Sequence, residues 1–192
     1  MPNKKDWSEY YEFMREKPPS ALLVAGLKYL KQKDKAIDIG GGSLRDTRHL
    51  LQEGLDVTVI DSSPLLMDEA ARIKDMRLHP MVVSFENYTF PKNEYNLASA
   101  IFALNFCNPL KFDAVFWKII DSLKPGGIFC SELYGDHDEW SKLPGKTYPS
   151  KDRVMKLLVG LEIIRFIEEK TDKKDMSGEV KYKHVFQFII RK

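Results

Sequence analysis

The chain has 192 residues, the size of a single domain whose core needs neither disulfide bonds nor a structural metal. Lys plus Arg number 30 against 28 Asp plus Glu, with no basic stripe interleaved with aromatics, so nucleic acid is not expected as a partner. No stretch approaches the roughly 20 apolar residues of a membrane span, and the N-terminus lacks the apolar segment of a secretory signal, so we expect a cytoplasmic protein without a membrane partner.

Two helices are predicted near the N-terminus. Trp7, Tyr10, Tyr11 and Met14 recur at helical spacing, and Ser20 is a suitable N-cap for a second helix. The aromatic residues of the first helix have two interpretations: they close over a ligand as a lid, or they pack against the domain. An aromatic stripe at helical spacing is more often a packing surface, which favours the second interpretation.

A strand, a glycine turn, a helix and a second strand that ends in an acid come next. The predicted elements are strand 35–39, helix 44–54 and strand 57–61. Gly40, Gly41 and Gly42 remove three successive Cβ atoms where the chain leaves the first strand, so a ligand can approach the backbone amides. Asp61 follows Gly40 by 21 residues, where such folds place a carboxylate on ribose hydroxyls. The pattern predicts a nucleoside-binding βαβ unit.

Helix and strand continue to alternate through a fifth strand. The predicted elements are a β-prone segment at 81–83, a strand at 95–102, a helix that opens at Asn108 and a strand at 128–133. The nearly unbroken apolar run of the fourth strand is typical of a strand buried on both faces of a parallel sheet. This alternation predicts an α/β fold.

The pattern changes after the fifth strand. A long loop over 134–149, of a length that is often functional, precedes a helix at about 150–158. Two β-prone segments, 161–168 and 182–191, are joined by a charged stretch, 171–180, that suits an exposed hairpin. A dinucleotide dehydrogenase would usually continue with another parallel strand, so a terminal antiparallel hairpin favours methyl transfer.

Together these features resemble a class I S-adenosylmethionine-dependent methyltransferase over residues 36–191. The motifs that carry the resemblance are Asp38-Ile-Gly-Gly-Gly, Asp61, the apolar fourth strand, Leu-Lys-Pro-Gly-Gly at 123–127 and the closing hairpin. Three further segments are similar to the small tellurite-resistance-B-like methyltransferases, namely Arg45-Asp46, residues 103–106 and residues 134–140.

The resemblance implies a Rossmann-like three-layer α/β sandwich. Its sheet has seven mostly parallel strands in the order 3-2-1-4-5-7-6 and ends in an antiparallel hairpin. The chain, 1–192, is then a single methyltransferase domain. Residues 35–192 form its core, and the N-terminal helices within residues 1–33 form a lid or a packing layer.

The resemblance also implies roles for individual residues. Gly40 and Gly42 would pack against the methionine part of S-adenosylmethionine. Asp61 would accept hydrogen bonds from both ribose hydroxyls, and Asp38 would orient the ligand ammonium. The further positions expected to contact the cofactor are Gly41, Arg45, Ser62, Ser84, Phe85, Ala100 and Leu104. For the arginine, a surface bridge to a helix acid is the alternative to a pair with the ligand carboxylate.

The sequence departs from the family pattern at two positions. Relatives often carry an acid for the adenine amino group just after the third strand, where this chain has Ser84, followed by Phe85 and Glu86. This departure weakens the assignment of the adenine contact. The third glycine of the first motif is also missing, because Leu44 stands there.

Methyl transfer from a sulfonium depends on positioning more than on acid–base chemistry, because the leaving group is already activated. If the acceptor arrives protonated, one base assists, and His137 and His184 are the candidates. Both have a simpler interpretation, since charged loop residues are usually solvated and a histidine within the last strand is more often structural. No catalytic residue is therefore assigned.

The sequence does not have the spacing of a metal site. Cys107 and Cys130 are the two cysteines, and no zinc-type Cys/His spacing accompanies them. Both are most simply buried apolar residues in a reducing compartment. No clustered set of His, Asp and Glu has ligand spacing, so we expect no bound metal.

The working hypothesis is an S-adenosylmethionine-dependent methyltransferase that acts on a small-molecule acceptor and releases S-adenosylhomocysteine. The acceptor and the oligomeric state stay open. The alternative is a nucleoside-binding module without activity of its own that acts through a partner. A nicotinamide oxidoreductase is disfavoured, because Arg45 stands where a strict G-x-G-x-x-G needs glycine and no Tyr-x-x-x-Lys pair follows the fourth strand.

Overall fold

The computed structural model describes residues 7–174 and 178–192, so part of the predicted hairpin stretch 171–180, at 175–177, lies outside the described residues. The strands are β1 (Lys35–Ile39), β2 (Asp56–Asp61), β3 (Leu78–Val82), β4 (Tyr95–Ile101), β5 (Leu123–Tyr134), β6 (Glu162–Lys174) and β7 (Val180–Arg191). The α-helices are α1 (Trp7–Arg15), α2 (Ala21–Leu27), α3 (Arg45–Gln52), α4 (Leu65–Ala70), α5 (Phe112–Ser122) and α6 (Lys151–Leu157). Short 3-10 helices lie at Leu104–Phe106 and Glu139–Lys142.

The strands form one sheet in the order β3-β2-β1-β4-β5-β7-β6. Strands β1 to β5 pair in parallel, and β7 is antiparallel to both β5 and β6. This confirms the predicted sheet order and its terminal antiparallel hairpin. The carboxyl ends of the five parallel strands lie at one edge of the sheet, and the strand order reverses between β1 and β4. In open α/β sheets a ligand crevice forms at such a reversal.

Helices cover both faces of the sheet because consecutive strand residues point to opposite faces. On one face, Phe116 of α5 packs with Phe129 and Phe188, and all three are buried. On the other, Leu23 of α2 and Leu50 of α3 pack over the sheet in a second buried cluster. In the part of the chain that the structure describes, no helix is long and apolar enough to cross a bilayer.

Strands β3, β6 and β7 differ from their predicted limits where little of them is buried, whereas β5 differs at a partly buried segment. The β6–β7 ribbon continues beyond the predicted segments to pair Lys174 with Val180, and its added residues are largely exposed. Strand β3 begins three residues before the predicted position 81, at an exposed edge of the sheet. Strand β5 begins at Leu123, ahead of the predicted 128, and pairs there with Tyr95 across an irregularity. An exposed strand segment carries no apolar face, so the sequence does not mark it.

Candidate active site

The glycine turn, Gly40–Gly42, connects β1 to α3. Its first two residues pack closely against β2 and the segment after β4. A Cβ on Gly40, whose φ is +71°, would lie 2.5 Å from the Cβ of Ala103. A Cβ on Gly41 would lie 2.2 Å from a methyl group of Val59 in β2. The first two glycines are therefore required by packing and backbone conformation. The contact with Ala103 also brings the segment after β4 against the turn.

Asp61, at the end of β2, is held against this turn. Its carboxylate accepts a hydrogen bond from the Gly42 amide at 3.0 Å and another from the Ser63 amide at 2.8 Å. The Ser62 amide also contributes a hydrogen bond. Burial raises the pKa of Asp61, and the amide hydrogen bonds oppose that shift. An acid and a glycine turn that are 19 residues apart thus form one polar site.

Helix α1 lies over the same site. A Cβ on Gly42 would come within 3.3 Å of the Tyr11 ring, and burial, followed by the charge of Asp61, raises the pKa of Tyr11. One turn further along α1, Arg15 forms two hydrogen bonds, of 2.9 and 2.6 Å, with Glu69 of α4. The aromatic face of α1 therefore packs over the glycine turn, which is the place that a lid over a bound ligand would occupy.

Asp38 lies beneath the turn and is buried. Its two carboxylate oxygens accept hydrogen bonds from the Thr47 hydroxyl at 2.6 Å and the Ser99 hydroxyl at 2.7 Å. Burial, and next the nearby charge of Asp46, raises its pKa to about 6. This carboxylate connects β1 to α3 and β4. The predicted contact with a ligand ammonium stays a prediction.

Leu44 occupies the position of the missing third glycine in the conformation that a glycine would adopt. Its φ is +59°, in the left-handed region that side chains other than glycine rarely enter. The side chain is fully buried and packs with Val59, Leu66 and Ala70. Burial of a leucine side chain contributes about 1.5–3 kcal/mol, which exceeds the roughly 1–2 kcal/mol cost of the left-handed backbone.

Arg45 pairs with the residue next to it. Its guanidinium donates two hydrogen bonds, of 2.9 and 2.7 Å, to the carboxylate of Asp46. Asp46 also accepts a hydrogen bond from the Ser20 amide at 2.8 Å, which ties α3 to the start of α2. Both members of the pair are largely buried, so this is not the surface bridge considered above. A contact with a ligand carboxylate stays a prediction.

The other predicted contact residues fall into two groups. The Val83 amide donates a hydrogen bond to the Asp61 carbonyl at 2.8 Å, so the next residues, Ser84 and Phe85, lie close to the acid. The Phe85 ring packs against the core. Ala100 and Leu104 are buried in that same core. The structure therefore brings the residue pair after β3 toward the site and buries Ala100 and Leu104 in the core, and the predicted cofactor contacts of all four residues stay predictions.

Comparison with known proteins agrees with this arrangement. Residues 36–127, which include β1, the glycine turn and Asp61, match the family described as "Methyltransferase domain". The match covers just under half of the chain and agrees with the resemblance to class I S-adenosylmethionine-dependent methyltransferases noted in the sequence. The chain is 33% identical over 106 residues to carboxy-S-adenosyl-L-methionine synthase from Nautilia profundicola. The match covers 53% of this chain and 44% of that relative, so the chain spans less than half of the relative's length.

Solved structures share the methyltransferase fold at low sequence identity. TehB from Haemophilus influenzae has a TM-score of 0.73 at 16% identity, over 88% of this chain and 61% of that one. A 1,6-didemethyltoxoflavin-N1-methyltransferase from Burkholderia thailandensis, solved with its acceptor and S-adenosylhomocysteine, has a TM-score of 0.64 at 18% identity, over 98% and 86%. These similarities show the fold, and TehB agrees with the resemblance noted in the sequence.

The loop after β5 is held by His184 of β7. The His184 carbonyl accepts a hydrogen bond from the Gly135 amide at 2.7 Å, and its Nδ1 accepts one from the His137 amide at 3.1 Å. Its Nε2 lies 3.1 Å from Glu168, and its amide donates to Asp138. Burial lowers the pKa of His184. With both ring nitrogens engaged, the arrangement supports the structural interpretation of this histidine.

His137, the other candidate base, lies on the surface of the same loop. Its side chain is 63% exposed, and its Nδ1 lies 2.9 Å from Asp136. Ligand atoms of His137, Asp136 and His184 lie within 4.8 Å of one another. Sequence spacing did not indicate this group, because the two histidines are 47 residues apart and only the fold brings them together, and the expectation of no bound metal stays a prediction. In this arrangement Nδ1 of His184 is already bonded to the loop backbone.

Asn105, which the sequence analysis named only within a motif, connects the segment after β4 to the loop after β5. Its side chain accepts a hydrogen bond from the Tyr134 amide at 2.9 Å and donates to the carbonyls of Tyr134 and Thr147, both at 2.8 Å. It is fully buried. A single polar residue within the apolar run 103–106 was the signal that could have identified it.

Proposed function

We propose that this protein moves a methyl group from S-adenosylmethionine to a small-molecule acceptor and releases S-adenosylhomocysteine. The observation that carries the proposal is the Asp61 carboxylate, which is oriented by the Gly42 and Ser63 amides at the strand-order reversal. A carboxylate fixed in this way suits a pair of neighbouring ribose hydroxyls. The residues present therefore fit a nucleoside ligand.

The reaction requires little of the protein beyond orientation. The cofactor supplies an activated methyl group on a sulfonium, so the acceptor lone pair forms the new bond while the carbon–sulfur bond breaks and its electrons remain on sulfur. Asp61 and the glycine turn hold the donor, and α1 covers it. Binding fixes the two reactants in line, so the entropy cost of bringing them together is met before the chemical step. This is the main source of the rate enhancement here.

Calorimetric titration with S-adenosylhomocysteine tests the proposal. We expect the wild type to bind and Asp61→Ala to lose at least about tenfold in affinity, because hydrogen bonds to a charged group contribute roughly 1.5–3 kcal/mol each. Asp68→Ala, at an exposed position in the neighbouring helix α4, is the matched control and should leave the affinity unchanged. A folded wild-type protein that does not bind would exclude the proposed function.

A nucleoside-binding module that acts through a partner is the second candidate. In its favour, the Tyr11 ring of α1 lies over Gly42, next to Asp61, so a partner that moves α1 would change access to the site. Methyl transfer to a panel of metabolites in the absence of any other protein excludes this candidate. Binding of S-adenosylhomocysteine without turnover on that panel, followed by turnover when a cell extract is added, would support it.

A further inference from the structure

Six aromatic side chains, here called the aromatic set, form two groups of contacting rings near the carboxyl ends of β4 and β5. They are Trp7, Tyr10, Phe102, Phe106, Tyr134 and Trp140. The Trp7 ring lies 5.7 Å from that of Phe106 and 5.4 Å from that of Tyr10. The Tyr134 ring stacks on Phe102 at 4.6 Å and meets Trp140 edge-on at 5.1 Å. This aromatic set joins α1 to the loops that follow the two central strands.

Phe102 links the aromatic set to the segment that packs against the glycine turn. Its φ is +53°, which is rare for a bulky residue and occurs mostly where function or packing enforces it. The backbone is held by a hydrogen bond from its amide to the Glu132 carbonyl at 2.9 Å. The next residue, Ala103, contacts Gly40. The aromatic set therefore adjoins the site proposed for the methyl donor.

Glu132 lies on β5 two residues before Tyr134, so both side chains point to the same face of the sheet. It is 9% exposed and accepts a hydrogen bond from the Ser20 hydroxyl at 3.1 Å. Its charged neighbours are Arg45 and Asp46 of α3, which pair with each other, and Lys173 of β6. Within the described ranges no ion pair includes Glu132, and burial raises its pKa.

A buried carboxylate that lacks an ion-pair partner is costly, and such groups concentrate at functional sites. The stacked rings of Phe102 and Tyr134 near it suit a planar ligand. Lysine side chains of the chain itself already lie over Trp140 and Phe106. We propose that the acceptor is an amine on an aromatic framework, whose ring lies in the aromatic set and whose nitrogen faces Glu132. This inference rests on the proposed function, which it extends by naming the class of acceptor.

The proposed step balances in atoms and charge. The ammonium form of the acceptor gives a proton to a Glu132 carboxylate oxygen, which frees the nitrogen lone pair. That lone pair forms a bond to the methyl carbon, the carbon–sulfur bond breaks, and its electron pair remains on sulfur. The products are a methylated ammonium, a neutral thioether and a protonated Glu132, which returns its proton to solvent.

The test compares three probes of similar shape on the wild type in the presence of S-adenosylhomocysteine. Phenethylamine carries a cation, phenethyl alcohol is neutral and hydrocinnamate is an anion. We expect the amine to bind at least about tenfold more tightly than either of the others, because its charged hydrogen bond to a buried carboxylate is the strongest available. Equal binding of the three, preference for the alcohol or the acid, or binding of none overturns the inference.

Glu132→Gln separates this role from a purely structural one, since Glu132 also holds Ser20 at the start of α2. The glutamine keeps an oxygen for that hydrogen bond but removes the charge. We expect it to abolish the preference for the amine and to leave the affinity for S-adenosylhomocysteine within about twofold. Glu162→Gln, at an exposed acid of β6, is the control and keeps the preference.

The outcomes also separate this inference from the proposed function. Failure of the wild type to bind S-adenosylhomocysteine removes the proposed function, whichever probe binds. Binding of S-adenosylhomocysteine together with a probe preference other than the amine removes only the acceptor class. A Glu132→Gln variant that retains the amine preference also contradicts the assignment. If this variant does not fold, the comparison of probes on the wild type still decides.

Discussion

The carboxyl edge of the sheet has two halves that are built in different ways. The nucleoside half consists of the glycine turn, Asp61 and the Tyr11 ring above them, and backbone amides orient its carboxylate. The acceptor half consists of the aromatic set, Glu132 and Asn105, and side chains from distant parts of the chain hold it together. The first half depends on local conformation, whereas the second depends on tertiary contacts. Substitutions can therefore affect one half and spare the other.

The largest expected effect concerns the packing of the glycine turn. Gly40→Ala should lower the free energy of unfolding by roughly 2–5 kcal/mol, the sum of left-handed strain and overpacking against Ala103. Gly126→Ala is the matched control, since its φ is +81° but nothing lies within 4 Å of its Cβ position. It should show the strain alone, about 1–2 kcal/mol. Equal losses in urea denaturation would mean that the turn is not closely packed.

A substitution in the acceptor half should separate stability from donor binding. Asn105→Ala removes three buried hydrogen bonds and leaves their partners unsatisfied, so we expect a loss of about 2–4 kcal/mol in the free energy of unfolding. The affinity for S-adenosylhomocysteine should stay within about twofold. Asn87→Ala, at an exposed position, should change neither quantity. An affinity loss as large as that of Asp61→Ala would show that the two halves are coupled.

The acid beneath the turn gives the nucleoside half a pH dependence. The folded-state pKa of Asp38 is raised from 3.8 to about 6, so the folded protein binds its proton more tightly than the unfolded chain does. The contribution of protonated Asp38 to the free energy of unfolding is fully present below pH 3.8 and is lost as the pH rises to about 6. The loss is at most about 3 kcal/mol, since one pKa unit corresponds to about 1.4 kcal/mol. Urea denaturation of the wild type and Asp38→Asn should diverge across this window, and parallel curves would contradict the assignment.

The smallest expected effect concerns the cover over the nucleoside half. Tyr11→Phe removes a hydroxyl that lies near the charge of Asp61 and keeps the ring over Gly42. If the hydroxyl competes with the ribose for Asp61, S-adenosylhomocysteine should bind about two- to tenfold more tightly to the variant. This change in affinity corresponds to the net free energy of about one hydrogen bond. Tyr29→Phe, at an exposed tyrosine, should have no effect. Weaker binding by Tyr11→Phe would instead show that the hydroxyl contacts the ligand directly.

Sequence patterns predicted this fold well where strands are buried. The sheet order and the antiparallel ending are confirmed, and β1 and β4 lie close to their predicted limits. The exposed strand β3 and the outer part of the β6–β7 ribbon were misjudged in length, because exposed strand residues need no apolar face. Leu44 shows a related effect, since burial stabilises a left-handed residue that the motif alone would assign to glycine.

The sequence by itself determined the nucleoside half, because a strand, a tight turn and a following acid are linked over about 20 residues by local rules. Only the tertiary structure decided the acceptor half. Ser20 and Glu132 are 112 residues apart and His137 and His184 are 47 apart, yet each pair is in hydrogen-bond contact. Periodicity carries no information about such pairs, since they form when helices and loops pack onto a completed sheet.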